Sequence, residues 1–316
     1  ALMPMSDEFQ ALSARVRNWG RWGDDDQVGT LNLITPEVVA NAAAAVRLGR
    51  TIPLGVPLQQ NGVQAGFVPG RDNPTHTMHA INQAMDPEAD ADAFHTSDDH
   101  ITMGLQAGTH WDGLGHVSYS GHMYNGYDAA TITADGASLC GIHHLRSVVS
   151  RGVLLDVARA KGVDMLECPY AITGDDLDEA AAMGGVELRS GDIVLVRTGR
   201  MALYHSSGGL EYCLGPNQDG SNAGMGLSSV TWMHDHDVAA VANDTLAFEV
   251  YPSEVDALAV HLLQLVDMGL TQGQNWDLEA LSVDCAADGV HEFLLSATPE
   301  PFVGAVGSPV APVAIK

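Results

Sequence analysis

Residues 106–117 read QAGTHWDGLGHV, which places two histidines, one aspartate, one threonine and three glycines within twelve positions. A divalent metal that activates water needs imidazole and carboxylate ligands and an open coordination position. On an extended segment, His110 and Asp112 are alternate residues and project in the same direction. Gly108, Gly113 and Gly115 permit backbone angles that let the chain wrap closely around an ion. Thr109 is placed to hold a ligand from behind. His116, four residues past Asp112, would stand near the ion without binding it, a position suited to a general acid-base. The competing reading is a turn whose histidines cap backbone groups. HxD is a short pattern and the chain holds fourteen histidines, so the pattern alone leaves both readings open.

The remaining candidates are ranked by their distance from this stretch. His122 and Tyr124, in GHMYNG, follow closely and are expected to line the pocket. Trp111 lies between His110 and Asp112, so its ring points away from the ion, into the core or into a pocket wall for a flat substrate. His76 and His79, His143 and His144, and His234 and His236 have ligand-like spacings but no partner motif, and read as solvated or structural. Arg197 and Arg200 could bind a carboxylate, although salt bridges are the default on so acidic a chain. No G-x-S-x-G nucleophile elbow occurs.

The elements that must position these residues are mixed. "HITMGLQA" (100–107) alternates as a strand leading into the motif, and "RGVLLDVAR" (151–159) and "DIVLVRTG" (192–199) read as buried strands. "VAAVAND", "LAFEVYP" and "HEFLLSAT" read as further strands, and "TIPLGVPL" as an extended segment. Helices are expected at 37–49 behind Thr35 and Pro36, in "TGDDLDEAAAMGG", in "DALAVHLLQLVDMG" and in "DLEALSVDCAADG". Residues 60–98 read as a long irregular excursion over the surface. Strands and helices do not alternate strictly, and no composition break divides the chain. The expectation is one mixed α/β or α+β domain over residues 1–316.

Composition narrows the function classes. Hydrophobic residues make up 46% and charged residues 17%, a globular balance. A net charge of −26, with Lys161 and Lys316 the only lysines, disfavours nucleic acid and anionic membranes as partners. No run approaches the roughly 18 apolar residues that span a bilayer. ALMPMSDEFQ lacks the basic and apolar regions of a secretory signal, and four scattered cysteines form no CxxC pair, so a reducing cytoplasm is the expected location.

QAGTHWDGLGHV resembles the HxGTHxDxPxH signature of the metal-dependent cyclase-like hydrolases, the family of bacterial kynurenine formamidase, isatin hydrolase and trans-dienelactone hydrolase. WGDDDQVGTLNLI, HVSYSGHMYNG, SRGVLLDVA, GDIVLVRTGR, NDTLAFEVYPS, VHLLQLVDMGL and GAVGSPVAPVAI resemble family segments in the family's order, over nearly the whole chain. The resemblance implies a swivelling β/α/β domain with two facing sheets and surrounding helices, assembled as a homodimer or homotetramer. It implies His110, Asp112 and His261 as metal ligands and His116 as the acid-base. Two positions depart from the pattern: Gln106 replaces the first motif histidine, and Gln274 stands where a glutamate is expected. Glutamine carbonyls are neutral and weaker donors. A bridged metal pair is thereby disfavoured, and the expected cofactor is one divalent ion per chain, Mn²⁺ or Zn²⁺, with Gln106 and Gln274 completing the ligand set. The function expected is hydrolysis of a small cyclic amide, lactone or N-acyl aryl amide. The alternatives are a cyclase or dehydratase on the same scaffold, or a metal-poor binding protein.

Overall fold

The motif itself is a strand. In the computed structural model, which describes residues 5–88, 90–256 and 258–316, His110–Asp112 is a three-residue strand buried at every position. It belongs to a nine-stranded mixed sheet with the spatial order Thr51–Pro53, Val313–Ile315, Glu292–Ser296, Val149–Asp156, Ile193–Arg197, Ala240–Asn243, Thr271–Gln274, His110–Asp112, Gly307–Pro309. The four strands from Val149–Asp156 to Thr271–Gln274 run parallel. The motif strand runs antiparallel to both of its neighbours.

Both faces of the parallel strands are covered, as the continuous apolar runs require. Val153, Leu155, Val194, Val196 and Val241 enter one core cluster, and Leu154, Ile193, Leu195, Ala240 and Ala242 enter the other. Trp111 belongs to the second cluster, with Trp276 edge-on at 4.8 Å between ring centroids. That packing explains a glycine on the neighbouring strand. A Cβ on Gly273, opposite Trp111, would come within 2.6 Å of the Trp276 indole nitrogen and 2.9 Å of the Trp111 ring.

The helix signals hold where caps are complete. Thr173 and Asp176 form a reciprocal capping box on Gly174–Gly184, and Gly185 closes that helix at φ 62°. Thr35 caps Pro36–Ala44, but this helix stops short of Gly49, because the Leu48 and Arg50 amides turn away to donate to the Lys316 carbonyl. Residues 60–98 are less irregular than the sequence suggested. Thr75–Ala84 and His95–Thr102 pair as an antiparallel ribbon that is almost wholly exposed, with Ile81, Met85 and Phe94 bare on its surface. The strand expected at 100–107 therefore ends at Thr102, before the motif. LAFEVYP is not a strand either. Asn243 Nδ2 donates to the Phe248 carbonyl and the Phe248 amide donates to Thr245 Oγ1, which folds the segment into a turn carrying single bridges to Met225 and Asn222. The helix expected around His261 forms as Ala259–His261 and continues as a π-helical stretch, Leu262–Met268. No helix among the described residues is long and apolar enough to cross a membrane.

Candidate active site

Strand register brings the chemistry together. His110 faces Gln274 and Asp112 faces Gln272 across the antiparallel pair, so all four side chains share one face of the sheet. The start of the π-helical stretch closes over that face and adds His261. Gln274 Nε2 donates to Asp112 Oδ2 at 2.7 Å and lies 3.3 Å from His261 Nε2. The expected ligands His110, Asp112, His261 and Gln274 thus form one cluster.

Each histidine of the site floor has its tautomer fixed from behind. The Gly108 carbonyl accepts from His110 Nδ1 at 2.8 Å, and a carbonyl can only accept, so His110 Nε2 carries a lone pair into the site. Glu249 does the same for His261: its Oε1 accepts from Nδ1 at 2.5 Å and from the His261 amide at 3.2 Å. Thr109 Oγ1 donates to the Asn275 carbonyl at 2.6 Å and accepts from the Val56 amide, anchoring the motif on both sides. Glu249 is a site residue that the ligand pattern missed; the signal was an acid inside the apolar run LAFEVY.

Two polar atoms face each other without a hydrogen-bond partner. His110 Nε2 and Asp112 Oδ1 are both fully buried and stand 3.5 Å apart. Two donors about 2.0–2.2 Å from one tetrahedral ion stand roughly 3.3–3.6 Å apart, so this orphaned pair fits a shared divalent cation. The fit does not extend to a full cage. Among the described residues no three His, Cys, Asp or Glu side chains converge at metal-cluster spacing. The Gln274 amide, which is none of these residue types, stands between Asp112 and His261.

The mouth of the site is built differently. His116 retains 17% side-chain exposure, and its Nε2 lies 3.7 Å from Asp112 Oδ1. Arg71 Nη2 lies 3.3 Å from the same Nε2, while His116 Nδ1 is buried without a partner. Burial pushes the His116 pKa below its ordinary value; Asp112 opposes the shift, and Arg71, His261 and His110 add to it. Burial pushes the Asp112 carboxyl up, but His116, His110 and His261 outweigh it and hold the group well below the usual carboxylate range. The loop after His116 is tied to the far end of the π-helical stretch, where Asp267 accepts from Tyr119, Arg17 and Ser13.

The Cyclase family model matches residues 33–250 of this sequence. The chain belongs to the cyclase family. A solved structure described as a novel cyclase superposes at a TM-score of 0.86, with 38% identity and all of both chains covered. Isatin hydrolase A from Ralstonia solanacearum superposes at 0.60 with 18% identity, covering 89% of this chain and 98% of that one. A predicted metal-dependent hydrolase from Bacillus stearothermophilus superposes at 0.50 with 14% identity, covering 84% and 97%. At such identities the last two show a shared fold alone. No curated protein matches the sequence.

Not every expected residue of this cyclase-family site lies in the cluster. Gln106 makes no side-chain hydrogen bond to the four clustered residues, yet it packs over Gly307, the register partner of Asp112, where an added Cβ would meet its Nε2 at 2.4 Å, and so it borders the cluster on the Asp112 side. Trp111 is not a pocket wall: it is fully buried on the opposite face of the strand and donates Nε1–H to the Ala297 carbonyl at 2.7 Å. Tyr124 is also buried, its hydroxyl given to Asp26 Oδ2 at 2.8 Å and its ring filling the space over Gly269. His122 is exposed, with Nδ1 3.2 Å from the Gly126 carbonyl. Of the two places open to Trp111, the core or a pocket wall, alternation puts it in the core, and Tyr124, expected to line the pocket, is taken up by Asp26 and Gly269. Arg197 is engaged with Asp156 and Glu279 and Arg200 with backbone carbonyls, so both are structural.

Proposed function

We propose that the chain is a metal-dependent hydrolase that opens a small cyclic amide or lactone, or cleaves an N-acyl aryl amide. The single observation that carries this reading is the orphaned pair His110 Nε2 and Asp112 Oδ1, buried and 3.5 Å apart. A buried polar atom without a partner costs about 1–3 kcal/mol, more when charged, and a bound cation removes that cost for both atoms at once.

His110, Asp112 and His261 would hold the ion, one Mn²⁺ or Zn²⁺ per chain, with the carbonyl oxygen of Gln274 available once its amide turns over. The chemistry a divalent ion supplies there is polarisation of the substrate carbonyl and acidification of the attacking water. The protein does the rest. Gly108 and Glu249 keep both floor imidazoles in the tautomer with Nε2 unprotonated. Asp112 remains ionised and holds positive charge in the site. His116, mostly buried but reaching the mouth of the site and within reach of that carboxylate, takes the proton released from water and returns it to the leaving nitrogen or oxygen. Ring closure is the same path in reverse, so open-chain acids belong in any substrate panel.

The test is elemental analysis after gentle purification, in parallel with turnover of cyclic imides, lactones and N-formyl aryl amines. The expected result is about one divalent ion per chain, and activity that falls on chelation and returns with Mn²⁺ or Zn²⁺. Undiminished turnover by metal-free protein would overturn the mechanism.

A further inference from the structure

Arg71 has no place in the hydrolytic scheme, yet it touches His116. Its Nη2 lies 3.3 Å from His116 Nε2, and a guanidinium can only donate. Among the described residues no carboxylate lies within 4.0 Å of Arg71, in a chain with forty acidic residues against fourteen basic ones. By contrast Arg151 and Arg197 each engage two carboxylates.

The backbone holds Arg71 where it is. Gly70 turns the chain at φ 79°, and Gly104 closes against it so tightly that a Cβ there would meet the Gly70 carbonyl at 2.6 Å and Arg71 Cα at 2.9 Å. Asn73 and Gln64 exchange hydrogen bonds of 2.8 and 3.0 Å, and Gln64 Nε2 donates to the Ala107 carbonyl at 3.0 Å. The Arg71 loop is thus fastened to the motif loop, at the base of the exposed ribbon.

We infer that Arg71 is a recognition residue for a carboxylate on the substrate, so that the compound hydrolysed is an anionic lactone, cyclic amide or N-acyl aryl amide. The inference rests on the hydrolase reading for the word substrate, but not for the binding itself. A planar guanidinium without a carboxylate of its own presents paired N–H donors that match one. Arg71 Nη2 and Asp112 Oδ1 approach the same His116 nitrogen, at 3.3 and 3.7 Å, without forming an ion pair with each other, so the guanidinium keeps donors for an anion that enters beside His116. This places the substrate carboxylate on the leaving-group side, beside the residue that returns the proton.

Benzoate and benzamide are a shape-matched pair that differ in charge, and calorimetric titration of the purified protein with each tests the inference. Wild type is expected to bind benzoate about 10-fold or more tightly than benzamide, the scale of a charge-assisted contact. Arg71→Gln should erase the preference and leave benzamide binding unchanged, Arg71→Lys should keep part of it, and Arg47→Gln should keep all of it. Equal affinity for the two probes in wild type, including no binding of either, overturns the inference. So does a preference that survives Arg71→Gln. If Arg71→Gln lowers turnover while leaving the charge preference intact, Arg71 only positions His116. Failure of every compound in the hydrolysis panel, with the benzoate preference present and lost in Arg71→Gln, would sink the hydrolase reading and leave the anion site standing.

Discussion

Asp112 and Asp244 are both fully buried aspartates at the ends of sheet strands, and their environments push them in opposite directions. Asp244 has both oxygens occupied: Oδ1 accepts from the Thr198 amide and hydroxyl, and Oδ2 from the Gly199 amide. Burial nevertheless dominates and raises its pKa to about 6, with Arg197 and the Thr198 bonds only partly offsetting it. Asp112 has one oxygen held by Gln274 and the other without a partner, and the three imidazoles around it keep it ionised. A fully satisfied carboxylate is a structural clasp. A carboxylate kept charged with an empty lone pair is kept for something that binds.

The comparison breaks most sharply at Asp112. Asp112→Asn is expected to abolish metal binding and turnover, both measured per folded chain, while the urea midpoint falls only by the lost attraction to the three imidazoles. A large drop in the midpoint with metal retained would make Asp112 the clasp instead. His116→Ala should retain the metal and lose about 10²–10⁴ in turnover, the usual range for general acid-base catalysis. Loss of the metal in that variant would move His116 from the mouth to the floor.

Asp244 gives the converse. Asp244→Ala is expected to cost about 3 kcal/mol in denaturant unfolding, since three donors from the 198–199 turn lose their acceptor. Its metal content per folded chain should remain that of wild type. The pH dependence follows from the raised pKa. Between about 4, the ordinary aspartate value, and about 6, the folded state holds a proton that the unfolded chain releases, so this group makes stability fall as pH rises through that window. Unfolding curves collected from pH 4 to 7 should show that slope in wild type and a flatter one in Asp244→Asn. The smallest effect is expected at Glu249. Glu249→Gln keeps the side chain's shape but weakens its hold on His261 Nδ1, and should loosen metal binding by about 10–100-fold, read by competition with a chelator. Unchanged affinity would mean that His261 does not bind the ion.

The sequence made the floor of the site legible because alternation is a local rule. His110 and Asp112 share a face whatever the rest of the chain does, and the same rule sends Trp111 to the core. The pairing of His110 with Gln274, 164 residues away, came from family resemblance and not from any local signal. Glu249 was misread because its neighbours are apolar enough for a strand, while Asn243 and Thr245 divert the backbone into a turn. Arg71 could not be found at all: PGRDNP reads as any polar loop, and only the closure of Gly104 onto Gly70 delivers its side chain to His116. Among the fold elements, the parallel strands were readable from their apolar runs. The exposed ribbon was not, since neither of its faces is buried and no periodicity marks it.

The seven-residue π-helical stretch has a consequence for how the two ends of the site are geared together. A π-turn is an α-helix with one residue too many, and such insertions persist mostly where function holds them. His261 enters the stretch fastened to Glu249, and Asp267 leaves it fastened to Tyr119, three residues past His116. Removing one residue would relax the coil to ordinary winding, but it would also turn one end against the other by about 100°. Either His261 or Asp267 would then swing away from its anchor. The surplus residue acts as a spacer that sets the phase between floor and mouth, so the length of this segment is as much a part of the site as the side chains it carries.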